Sequence, residues 1–143
     1  MNYISNNIEN DMIEIKDLEE KLKRDGFIIS DIKGSSMLPV LKEGINKVVV
    51  GKVNRELSKY DVVLYKDKNK YILHRIIDIN DDELVIRGDN CITNEYVMKH
   101  NVLGILVAYY GENGYKELTD SYNRRCYYRA KIKYIMRKIK HFR

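Results

Sequence analysis

Apolar and polar residues fall into short runs through the middle of this chain and change period near its end. Residues 15–25 read as a short helix, because Leu18 and Leu22 stand four apart on one face and Gly26 is a natural stop. Six β-like runs follow, over 27–33, 47–50, 61–66, 71–77, 83–87 and 103–110, rich as a group in Val, Ile and Tyr. Turn-forming residues separate most of them: Gly44, residues 67–69, residues 80–82, and 111–114 after the last. Short strands at close spacing predict a mainly β domain of meanders rather than a parallel βαβ fold.

The tail switches period. Tyr128, Ile132, Ile135, Ile139 and Phe142 recur at intervals of four and three, which is one stripe of a helix. Arg129, Lys133, Arg137 and Lys140 fall on flanking or opposite faces. The pattern therefore divides the chain into an N-terminal helical extension (1–26), a β-rich body (27–118) and a basic amphipathic helix (119–143).

Composition narrows the class. A chain of 143 residues suits one domain with its own core. With 44% hydrophobic and 33% charged residues it reads as soluble and globular, and 8 glycines with 1 proline exclude a fibrous chain. The longest mostly apolar run, 102–110, is far short of the ~20 residues a spanning helix needs. Residues 1–11 are polar and show no basic segment followed by an apolar one, so no signal peptide is readable and a cytoplasmic protein is expected. Cys91 and Cys126 form no paired motif and are expected to be reduced thiols.

The net charge of +5 is unevenly spread. Nine of the 26 basic residues lie in 121–143, where there is no acid, leaving 17 basic against 21 acidic residues before them. Any partner selected by positive charge belongs to the tail. Two readings of residues 124–143 follow: the apolar stripe packs on the β body, or the helix lies on an anionic membrane surface.

Three features bear on chemistry. Gly34-Ser35-Ser36-Met37-Leu38-Pro39 follows a predicted strand and holds the only proline. A nucleophilic serine needs such a turn, with backbone N–H groups near the developing oxyanion. His74 lies in an apolar strand, and an imidazole of ordinary pKa ~6.5 can take a serine proton near neutrality. Gly88-Asp89-Asn90 ends another strand. Taken singly, these are also an ordinary turn, a structural histidine and a second turn.

Their order is more specific. Ser36-Met37-Leu38-Pro39, then His74-Arg75 in a strand, then Gly88-Asp89-Asn90, then Gly104-Ile105-Leu106 resembles the signal peptidase I superfamily over roughly residues 33–110. Asp61-Val62-Val63-Leu64-Tyr65 resembles the strand after that family's Gly-Asp turn, although Tyr60 stands where glycine is usual and Gly44-Ile45 lacks a common aspartate. Histidine at the base position points to the endoplasmic-reticulum and archaeal branch; common bacterial enzymes and LexA-like repressors use lysine. The resemblance implies a β-rich catalytic domain and a serine endopeptidase that removes a leader or signal-like segment. It implies Ser36 as nucleophile, His74 as general base, and Asp89 or Glu95 as the acid orienting the imidazole; Ser35 departs from the pattern, standing where glycine is common, and its hydroxyl is a candidate to assist the oxyanion. It implies no metal or cofactor. Family members usually carry a membrane anchor, and none is readable in this chain.

Two other readings compete. A self-cleaving LexA-like regulator would need a DNA-binding module before the catalytic domain, and 33 residues before Gly34 are too few. Such regulators cut Ala-Gly or Cys-Gly, and neither alanine nor cysteine here precedes glycine. A non-catalytic module on the same scaffold would bind an extended peptide by strand addition. With an acidic body and no recognisable nucleic-acid module, no nucleic-acid partner is expected.

Overall fold

The structure, a computed structural model, describes residues 3–5 and 11–141, with side chains over 18–140. Phe142 of the apolar stripe and much of the polar N-terminal stretch lie outside the described residues. Described strands are β1 (Tyr3–Ser5), β2 (Phe27–Lys33), β3 (Lys47–Gly51), β4 (Val62–Asp67), β5 (Lys70–Asn80), β6 (Glu83–Arg87), β7 (Glu95–Met98), β8 (Val102–Gly111) and β9 (Gly114–Glu117). Helix α1 (Asp11–Asp25) precedes β2, and α2 (Asp120–His141) ends the described chain. The fold is mainly β, as the short apolar runs predict.

All the pairings are antiparallel, in the order β1-β2-β3-β8-β4-β5-β6-β7, with β9 on β8. β1 also pairs with β5 at Tyr3 and Ile72, so the sheet curls back on itself. Curling lets it enclose a core instead of needing a second layer. Leu18, Leu22, Ile28, Val48, Val50, Leu64, Leu73 and Leu106 are buried in one cluster; Val63, Tyr65, Ile72, Ile76, Leu84 and Ile86 form a second. The two clusters divide the alternating residues of β4 and β5, because successive strand side chains point to opposite faces.

Sequence reading missed β1, β7 and β9. β9 is exposed along its whole length, and β7 alternates between half-buried and exposed positions, so neither leaves an apolar run to detect.

The two readings of α2 are resolved in part. Asn123, Cys126 and Ala130, spaced by three and four, are buried. Tyr128, Ile132, Ile135 and Ile139 are 45–61% exposed, and Met136 joins them. The helix therefore packs through small residues and turns Ile132, Ile135 and Ile139 away from the body, so of the two readings the one in which the apolar stripe packs on the β body does not hold for these residues, while Tyr128 keeps a ring contact with Tyr60. Tyr60, where glycine is usual in the related motif, has φ of 80° and presses its ring on Tyr127 with centroids 4.6 Å apart. Aromatic packing against α2 offsets the strain of a side chain in that conformation.

Candidate active site

Ser36 sits in the loop leaving β2. Gly34 turns the chain there with φ of 89°, a conformation that costs a residue with a Cβ ~1–2 kcal/mol. The loop is then held by the loop that follows β6. Asn90 N–H donates to the Ser36 carbonyl at 2.7 Å, and the Asn90 side-chain amide donates to the Ser35 carbonyl at 3.0 Å. Arg137 of α2 in turn donates to the Asn90 carbonyl at 2.8 Å and to Asn90 Oδ1 at 2.5 Å. The helix is thus two hydrogen bonds removed from Ser36.

His74 lies opposite Val63 in the β4–β5 ladder, and its imidazole reaches the serine. Ser36 Oγ and His74 Nε2 are 3.0 Å apart, although 38 residues separate them in sequence. Both are buried. Burial disfavours the charged imidazole and pushes its pKa down to about 4, with the Asp89 charge acting in the opposite direction. A neutral ring at ordinary pH keeps one bare nitrogen that can accept a proton.

Gly88 makes the close approach possible. A Cβ there would meet the Ser36 carbonyl at 2.7 Å, Cys91 Sγ at 2.8 Å and His74 Nε2 at 3.1 Å. A side chain there would press on the Ser36 backbone, the Cys91 thiol and the His74 ring. The expected Gly-Asp-Asn turn is therefore a wall of the site.

Its aspartate, however, faces elsewhere. Asp89 binds Arg75 through both oxygens, at 2.8 Å to Nε and 2.9 Å to the guanidinium NH2. Arg75 also donates to the Tyr60 carbonyl at 2.8 Å and to Asn123 Oδ1 at 3.1 Å. Burial works against the guanidinium charge, and the Asp89 charge and hydrogen bonds outweigh it, so Arg75 has a raised pKa. His74 and Arg75 are neighbours on one strand and so point to opposite faces, which separates Asp89's partner from the imidazole. Asp89 locks β5, the 88–91 loop and the start of α2 together.

Glu95 is the acid beside His74. Its Oε2 lies 3.8 Å from Nδ1, beyond hydrogen-bond reach. Tyr65 of β4 stands between them: its hydroxyl is 3.3 Å from His74 Nδ1 and makes a close hydrogen bond to Glu95 Oε2. Burial raises the Tyr65 pKa, and the Glu95 contact raises it further, so the phenol stays protonated. Sequence reasoning did not select Tyr65; one tyrosine among 12, in an apolar strand, carries no local mark.

Ser36 on one side of the ring and Tyr65 with Glu95 on the other therefore come together around His74, while Asp89 supports the framework. Chemically, this is a hydroxyl next to a neutral base whose far nitrogen faces a phenol and a carboxylate. Both cysteines are free thiols, and burial raises their pKa values. Among the described residues no cluster of three His, Cys, Asp or Glu is placed to hold a metal ion. Compared with known proteins, the chain matches no protein-family model and no curated sequence.

Proposed function

We propose that this chain is a serine endopeptidase, similar to signal peptidase I of the histidine-using branch, that removes a leader or signal-like segment from a peptide or protein. The observation that supports it best is the 3.0 Å contact between Ser36 Oγ and His74 Nε2. Ser36 attacks the scissile carbonyl as its proton passes to His74 Nε2. The intermediate collapses, His74 returns the proton to the leaving amine, and an acyl-enzyme remains. Water activated by His74 then releases the new carboxyl terminus. Incubating the protein with a library of presequence-like peptides and mapping cuts by mass spectrometry tests the reading. Cuts that need Ser36 support it; binding without cuts would favour a non-catalytic peptide-binding module.

The same reading extends to location. Among the described residues no helix is long and apolar enough to cross a membrane. α2 nevertheless exposes Ile132, Ile135, Met136 and Ile139 on the side away from the body, flanked by Arg129, Lys133, Lys131 and Lys138. An apolar strip bordered by cations complements an anionic lipid surface, and each basic residue near such a surface contributes ~1 kcal/mol. We expect the protein to co-sediment with vesicles containing anionic phospholipid at low salt. Changing Ile132, Ile135 and Ile139 to serine should abolish pelleting without altering the thermal melt. Equal pelleting of both proteins, or of neither, would remove the membrane from the proposal.

A further inference from the structure

The Ser36–His74 contact sets a condition on the far side of the ring. If Nε2 accepts the serine proton, the neutral imidazole carries its own proton on Nδ1. His74 is 1% exposed, so solvent does not serve that N–H, and leaving a buried donor unmet is costly. Two oxygens are near. Glu95 Oε2 at 3.8 Å is too far for a hydrogen bond, and Tyr65 Oη at 3.3 Å is the nearer acceptor.

The phenol has a single proton. The close contact between Tyr65 Oη and the Glu95 carboxylate needs a proton between the oxygens, and a carboxylate has none to give. Tyr65 therefore donates to Glu95 and turns a lone pair toward His74 Nδ1–H. The two rings meet edge-on, with centroids 6.2 Å apart, which brings the phenol oxygen to the imidazole edge.

We propose that Tyr65 is the positioning residue that fixes the His74 tautomer, and that Glu95 acts on the imidazole through the Tyr65 hydroxyl rather than directly. No net proton moves along this chain at rest. When Nε2 takes the serine proton, Nδ1–H becomes a stronger donor, Tyr65 Oη a better-used acceptor, and the Glu95 charge stabilises the imidazolium from one residue away. The inference rests on the serine–histidine reading for its catalytic meaning, but the wiring itself can be read without any cleavage.

The test is ¹⁵N NMR of the histidine side chains in the whole protein. A His74→Gln variant assigns the His74 signals among the three histidines. Among the described residues, the other charged or titratable groups near His74 are Cys91 from the β6–β7 loop, Glu95 from β7 and, acting only through its charge, Asp89, and all are left unchanged except where named. In the wild type the proton is expected on Nδ1 at pH 7. In Tyr65→Phe it should redistribute toward Nε2, and the titration midpoint should fall by roughly one unit. Glu95→Gln should lower the midpoint in the wild type and lower it by clearly less in the Tyr65→Phe background, since coupled residues are non-additive and only the through-space charge effect remains there. Replacing Tyr65 with 3-fluorotyrosine keeps the hydroxyl but weakens it as an acceptor; it should move the midpoint in the same direction by less, and this serves if the phenylalanine variant does not fold. An unchanged tautomer and midpoint in the Tyr65 variants would overturn the proposal. So would a full Glu95→Gln shift in the Tyr65→Phe background, which would mean direct pairing. The failure of the peptidase reading looks different: no Ser36-dependent cuts while the NMR coupling persists.

Discussion

Ser36→Ala and His74→Gln are each expected to reduce peptide cleavage by on the order of 10³-fold or more, with folding intact by thermal melt. The double variant should be scarcely worse than either single one, because nucleophile and base act as a unit. The pH dependence makes the expectation sharper. His74 must be neutral to accept a proton, and burial has lowered its pKa to about 4. Cleavage should hold its rate down to about pH 5 and fall about tenfold per unit below about 4. Stability should follow the same window. The unfolded chain takes up this proton near 6.5 and the folded one near about 4. Folding therefore weakens as pH falls from about 6.5 to about 4, by on the order of 3 kcal/mol, and full stability is present above that range. A cleavage limb centred near 6.5 would mean that burial does not lower the pKa of the His74 base, and undiminished activity in either variant would remove that residue from the mechanism.

Asp89→Asn should act mainly on stability. Arg75 and Asp89 are both buried, and removing one partner of such a pair costs about 3–5 kcal/mol by leaving a buried charge uncompensated. For a chain of this size that lowers Tm by on the order of 10 °C. Replacing both, as Arg75→Met with Asp89→Leu, should recover much of the loss, since an apolar pair avoids desolvating two charges. Glu95→Gln should show the opposite signature: little change in Tm, because the side chain is 30% exposed, and a clear loss of kcat. Melting curves and cleavage rates on the same preparations separate the two acids. An Asp89→Asn protein with wild-type Tm and no activity would return that aspartate to the chemistry.

Ser36 and His74 were legible because each stands in a short motif. A serine before Met-x-Pro after a strand, and a histidine-arginine pair within one, are marked by neighbours a few residues away. The choice of acid was not legible in the same way. Asp89 sits in the motif that suggests it, yet Arg75, 14 residues earlier in sequence, takes both its oxygens. Nothing local to Asp89 announces that competitor. Tyr65 was invisible for the same reason: its partners are 9 and 30 residues away, and its spacing is that of any core residue in β4. The tail shows a third case. The period of Tyr128, Ile132, Ile135 and Ile139 identifies a helix, but the face that packs is the one with Asn123, Cys126 and Ala130. Small residues let the helix approach the sheet, and a hydrophobicity pattern ranks them below isoleucine.

By itself the sequence determined the mainly β class, most of the strands, the two helices and the serine–histidine candidates. Those properties arise from side-chain period, turn chemistry and backbone preference, which act over a few residues and are written in their order. Tertiary structure decided which acid lies on the far side of the imidazole, that Tyr65 intervenes, and which side of α2 meets the body. Each of those is a contest between groups far apart in sequence for one buried position, settled by distance and by how many polar atoms each arrangement can satisfy.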